Sequence, residues 1–109
     1  MRTISRKRLA DFWELHPDSK MPLEGWFKAV LNADWASLID VRKNFPHADG
    51  IELKCGLVIT VFNAGGNKFR IITRIIYPYR RIYVKAVLTH KQYDSNQWKA
   101  QLCREYMNE

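Results

Sequence analysis

The chain has 109 residues and 12.9 kDa, 47% of them hydrophobic, with only five Gly and four Pro, so one compact domain over residues 1–109 with a modest core is expected and a second does not fit. No apolar run approaches the roughly 20 residues a membrane span requires, and the basic N-terminal residues have no apolar signal region behind them, which predicts a soluble, cytoplasmic protein without a membrane partner. The formal charge is +7 with a pI near 9.7, and Cys55 and Cys103 have neither the number nor the spacing of a disulfide framework or a zinc site, so both are expected as reduced thiols in packed surroundings.

Ser5 is placed to cap a first helix in which Leu9, Phe12, Trp13 and His16 keep a three-and-four spacing, and Pro17 ends it. Leu23, Trp26, Phe27, Val30 and Leu31 form the apolar stripe of a second helix, with Ser19 as its cap and Pro22 in its first turn. The Pro-Asp-Ser link between the two predicts a helical hairpin. Ser37 followed by Asp40 resembles a capping box for a third helical piece closed by Phe45-Pro46.

From Ile51 the period changes. Leu57 to Phe62 is a continuous β-branched and aromatic run, residues 63–67 (Asn-Ala-Gly-Gly-Asn) are a turn, and Phe69 to Tyr77 is a second run, together a hairpin. Pro78 with Arg80 and Arg81 makes the next turn, before a third strand from Ile82 to Leu88. Strict alternation puts Phe69, Ile71, Thr73 and Ile75 on one face and Lys68, Arg70, Ile72 and Arg74 on the other. In the third strand it assigns Ile82, Val84, Ala86 and Leu88 to the apolar side and Tyr83 and Lys85 to the basic one. One face is thus expected to be covered by helices and the other to be open and basic. After Thr89-His90 the pattern returns to helix, with Tyr93, Gln97, Trp98, Ala100 and Leu102 as an imperfect stripe.

The charge is segregated. Between Gly50 and Lys91 the basic residues are Lys54, Lys68, Arg70, Arg74, Arg80, Arg81, Lys85 and Lys91, with Glu52 as the sole acid, while the remaining residues carry ten basic and ten acidic side chains. A basic surface built on strands, rather than a charged tail, points to a fixed site for a polyanion, with nucleic acid as the leading partner. Walker-type loops, a dinucleotide glycine fingerprint and a serine nucleophile elbow are all missing, which removes nucleotide hydrolysis and acyl transfer.

Three stretches carry a family resemblance: residues 4–17 (Ile-Ser-Arg-Lys through Phe-Trp-Glu to His-Pro), residues 61–70 (Val-Phe-Asn-Ala-Gly-Gly-Asn-Lys-Phe-Arg) and residues 89–94 (Thr-His-Lys-Gln-Tyr-Asp). In this order and spacing the chain resembles, nearly end to end, the HigB-type toxins of bacterial toxin–antitoxin modules, within the RelE-like superfamily. The resemblance implies an α+β fold with an N-terminal helical hairpin on a small, mainly antiparallel, twisted sheet and a C-terminal helix. It also implies a ribonuclease that cuts mRNA, commonly on the ribosome, held inactive by a HigA-like antitoxin with a helix-turn-helix region.

Cleavage of this kind resembles attack of the ribose 2′-OH on the adjoining phosphorus. It needs a base, positive donors for the phosphorane and an acid for the leaving 5′-oxygen, and no metal or other cofactor. Arg70 is the first candidate for charge stabilisation, because a guanidinium offers a planar fork of donors that stays charged. His90, at the strand-to-helix junction, is the candidate for proton transfer, since imidazole titrates near neutrality. Lys68 could hold phosphate or share the proton work. Tyr93 could stack on a base or donate its hydroxyl, or pack in the core. Asp94 either orients a histidine or caps the last helix. Lys54, Arg74, Arg80, Arg81, Lys85 and Lys91 complete the expected RNA-binding surface. The alternative is a non-catalytic RNA-binding or regulatory module of the same fold, a degenerate toxin.

Overall fold

The computed structural model describes residues 1–108. The order is β1 (Arg2–Ile4), α1 (Lys7–Leu15), α2 (Lys20–Leu31), α3 (Leu38–Asn44), β2 (Asp49–Glu52), β3 (Val58–Ala64), β4 (Phe69–Ile76), β5 (Arg81–Thr89), α4 (His90–Asp94) and α5 (Gln97–Met107), with single 3-10 turns at Pro17–Ser19 and Tyr77–Tyr79. Among the described residues the strands form one sheet in the order β1-β5-β4-β3-β2. The β2–β3, β3–β4 and β4–β5 pairs are antiparallel and β1 joins β5 in parallel, so the expected mainly antiparallel α+β fold is borne out.

The helical hairpin forms as expected, but its caps differ. Ser5 stands two residues before α1 with φ 65°, and its carbonyl rather than its hydroxyl accepts the Arg8 N–H. Ser19 is fully buried and donates its hydroxyl to the His16 carbonyl at 2.7 Å, fastening the link between the helices instead of capping α2. The Asp40 carboxylate accepts the Ala36 N–H at 2.9 Å, which holds its pKa below the usual value. The hairpin covers one face of the sheet, packing Leu9, Phe12, Leu23, Trp26 and Val30 against Phe62, Ile71, Ile82 and Val84.

The opposite face corrects the sequence reading. It is not open, because α5 lies across it and buries Trp98 and Leu102 against Leu53, Leu57, Ile59, Val61 and Ile72. The reason is visible in β3: a continuous apolar run, rather than strict alternation, marks a strand covered on both sides. A second correction concerns β5. The register shifts between Ile72, opposite Ala86, and Thr73, opposite Val84, leaving Lys85 as the extra residue of a bulge. Alternation therefore reverses along β5. Ile82, Val84 and Val87 face the hairpin, whereas Ala86 and Leu88 pack with Ile72 beneath α5.

The cysteines are a third correction: they are not reduced thiols. Cys55, in the β2–β3 turn, is joined to Cys103 of α5 across 48 residues of sequence, with Cα atoms 5.8 Å apart. Elements distant in sequence bring the two thiols together, so spacing along the chain gave no sign of the pair. Closing a loop of this length restricts the unfolded chain, and reduction or Cys103→Ser should cost about 2 to 4 kcal/mol of stability. Denaturant unfolding with and without dithiothreitol measures this, and coincident midpoints would be inconsistent with it.

Candidate active site

The sheet end formed by the β3–β4 turn and the start of α4 gathers the residues with the richest chemistry. Gly65 and Gly66 occupy the left-handed region there (φ 60° and 68°), and a Cβ on Gly65 would come within 3.3 Å of the Phe69 ring. These glycines serve the turn geometry. The turn is tied to α4 by the His90 N–H, which donates to the Lys68 carbonyl at 2.9 Å.

Helix α4 starts with a complete capping box. The Thr89 hydroxyl accepts the Gln92 N–H at 3.2 Å, and the Gln92 side chain accepts the Thr89 N–H at 2.9 Å. This fixes His90 at the first helical position. One turn later Asp94 meets it, with His90 Nδ1 2.7 Å from Asp94 Oδ2. A carboxylate can only accept, so Nδ1 carries a proton in this contact and Nε2 is the ring nitrogen left outside it. Both side chains are more than half exposed, so the pair is reachable from solvent.

Arg70, on the second residue of β4, donates through Nη1 to the Asn67 carbonyl at 2.9 Å and the Phe69 carbonyl at 3.2 Å. Its guanidinium carbon stands 5.3 Å from the centroid of the Tyr93 ring. Tyr93 stacks in turn on Trp98, with centroids 5.4 Å apart and planes at 18°. Burial pushes the Tyr93 hydroxyl pKa up; the Asp49 and Asp94 carboxylates add to the rise and the Arg70 guanidinium opposes it. Tyr93 is therefore a neutral hydrogen-bond donor through the physiological range. Lys68 reaches across to the helical hairpin, its Nζ 3.6 Å from an Asp18 carboxylate oxygen.

Lys68, Arg70, His90 and Tyr93 thus share one end of the sheet, with Lys91 on α4 beside them. The remaining basic candidates lie elsewhere. Arg74 sits 5.1 Å from the Tyr106 ring of α5. Arg81 and Lys85 lie 5.7 Å from the rings of Tyr79 and Tyr83, and these residues with Arg74 line a second, basic and aromatic hollow. Lys54 is in the β2–β3 turn beside α5. Arg80 has φ 54° and bonds Asp34 and the Tyr77 carbonyl, away from the cluster. Asp18, Asn67 and Trp98 were not singled out by sequence reasoning as site residues, since each is defined by a contact across the fold. The four-residue spacing of His90 and Asp94 was the one available signal for their pairing.

The pattern of the HigB toxin family, the RelE-like toxic component of a toxin–antitoxin system, matches residues 19–96. The chain belongs to the HigB toxin family. The mRNA interferase toxin HigB of Escherichia coli (strain K12) is 28% identical over 94 residues, covering 86% of this chain and 88% of that protein. The mRNA interferase HigB of Shigella flexneri gives the same figures, and that of Escherichia coli O6:H1 is 24% identical over 94 residues, covering 86% and 89%. Membership in the HigB family makes the chain the toxic half of a pair, with an antitoxin as partner. No helix among the described residues is long and apolar enough to cross a membrane.

Proposed function

We propose that this HigB-family toxin is a metal-independent endoribonuclease that cuts mRNA on the ribosome, in the cytoplasm, and is held in check by a HigA-like antitoxin with a helix-turn-helix region. The observation that carries the reading is the Arg70–Tyr93 contact beside the His90–Asp94 pair at one sheet end. In the reaction, His90 Nε2 takes the proton of a ribose 2′-OH, and Asp94 stabilises the resulting imidazolium. The 2′-oxygen forms its bond to phosphorus as the bond to the 5′-oxygen breaks, leaving a 2′,3′-cyclic phosphate and a 5′-hydroxyl. Arg70 stabilises the charge on the phosphorane oxygens, Tyr93 adds a hydrogen bond, and the Lys68 ammonium supplies the proton to the departing 5′-oxygen. Lys91 beside the centre and Arg74, Arg81 and Lys85, with Lys54 and Arg80 further out, hold the flanking phosphates. The same reading treats residues 1–109 as a single toxin domain.

Mapping RNA 5′ ends after induction tests this proposal. New ends bearing hydroxyls should accumulate within messages, and their absence during growth arrest would count against cleavage. Binding offers a second check. With about five phosphates neutralised on single-stranded RNA, log affinity should fall with log salt at a slope of about 3 to 4. An affinity indifferent to salt would remove the polyanion argument.

A further inference from the structure

The family match ends at Asn96, one residue before α5, yet α5 is built into the site. Helix α4 has five residues, too few to hold itself together, and its last carbonyls are met by the residues that follow: Lys91 and Tyr93 accept the Ser95 and Asn96 N–H groups, and Gln92 accepts the Ser95 hydroxyl. Its first turn is fixed by the Thr89–Gln92 capping box. Trp98 adds a tertiary hold to the other end: its indole Nε1 donates to the Tyr93 carbonyl at 3.0 Å while its ring stacks on the Tyr93 ring. One side chain therefore holds both the backbone and the ring of Tyr93. The same ring is in contact with Arg70, whose guanidinium carbon lies 5.3 Å from its centroid.

Trp98 is in turn immobilised. It is 8% exposed and packs with Leu102 on Leu53, Leu57, Ile59, Val61 and Ile72. The chain reverses between α4 and α5 through Asn96 at φ 61°, and the far part of α5 is bonded to the β2–β3 turn by Cys55–Cys103. The lengths agree. From Arg70 to Arg74 the strand advances about 13 Å, and from Trp98 to Tyr106 the helix advances about 12 Å, so α5 reaches from one basic cluster to the other.

We propose that α5 is a brace for the reaction centre, with Trp98 as a positioning residue that sets Tyr93 and, through it, Arg70. The inference rests on the nuclease reading above. Trp98 touches no substrate; it narrows the positions available to the Arg70–Tyr93 pair, and misplacement on the scale of 1 Å costs about a hundredfold in rate. The expected signature is a loss in the chemical step with RNA affinity preserved, since the cations that hold phosphate remain in place.

The test uses the full-length toxin without reductant, ribosomes programmed with a short message that it cuts, and single-turnover kinetics, with each variant assayed at the same interval below its own melting temperature. Trp98→Leu, which removes both the stack and the donor, should cleave about tenfold to a hundredfold more slowly with RNA Kd changed less than about threefold. Trp98→Phe, which keeps a stacking ring, should recover most of that loss. A wild-type rate in Trp98→Leu would overturn the brace, as would rate and affinity falling together without rescue by phenylalanine, the behaviour of a residue needed only for folding. Arg70→Ala separates the two levels: if it too cuts at the wild-type rate, the assignment of the centre to this end of the sheet fails, whereas a slow Arg70→Ala beside a fast Trp98→Leu removes only the brace.

Discussion

Replacing Arg70 with alanine is expected to slow RNA cleavage by about 10² to 10³, a loss of about 2 to 4 kcal/mol of transition-state stabilisation. The guanidinium is held by two backbone carbonyls of the β3–β4 turn, so it is oriented before substrate arrives and loses little freedom on binding. Its removal leaves the strand pairing of β4 intact, and the protein should melt close to wild type. RNA affinity should fall far less than rate, because the ground-state phosphate keeps its other cations. Single-turnover cleavage alongside a binding isotherm separates the two quantities. A variant that binds weakly but cuts bound RNA at the normal rate would make Arg70 a docking residue. Equal rates and affinities would place the chemistry elsewhere on the sheet.

His90→Gln should have a comparable or larger effect, about 10² to 10⁴ in rate, if the imidazole moves the proton of the 2′-OH. Glutamine can still fill the space and bond to Asp94, but it cannot accept and release a proton. The variant should therefore retain the Thr89–Gln92 capping box and the fold, while its single-turnover rate falls. Asp94→Asn should produce a smaller loss in the same direction, since the amide cannot stabilise an imidazolium as a carboxylate does. Cells induced for either His90→Gln or Arg70→Ala should accumulate protein and continue to grow. A wild-type single-turnover rate in His90→Gln would remove the histidine from the mechanism. A protein that binds RNA while neither wild type nor variant cuts it would instead be the degenerate toxin that the sequence also allowed.

The hairpin of α1 and α2, the β3–β4 turn and the restart of helix at His90 were legible because each is local: a three-and-four apolar spacing, a pair of glycines between β-branched runs, and the return of a helical stripe after Thr89-His90. What escaped is non-local. Strand β1 has three residues, too few for any period, and exists because β5 offers it a parallel edge. The bulge at Lys85 inverts the facing of Ala86 and Leu88, which no alternating count reveals. Helix α5 covers a face that looked solvent-exposed because Ile72, alone between Arg70 and Arg74, did not announce a second core. The imperfect stripe after His90 was two helices divided at Asn96. Arg70, His90 and Tyr93 could be chosen as candidates from residue type and resemblance, but the contacts that organise them, with Asn67, Asp94 and Trp98, depend on tertiary packing.

The strand order has a consequence for when such a toxin comes into being. Residues 2–4 pair with residues 81–83, and the core beneath the helical hairpin needs Ile82 and Val84 to close. Contacts of that sequence separation cannot form on a growing polypeptide until residues 81–84 have left the exit tunnel, and they slow folding relative to local contacts. The candidate centre is assembled from residues 68–94, and its brace lies later still. A nascent chain therefore carries no formed centre until residues 68–94 have emerged and paired. The delay between emergence and folding is a window in which a waiting antitoxin can meet the toxin before it is complete.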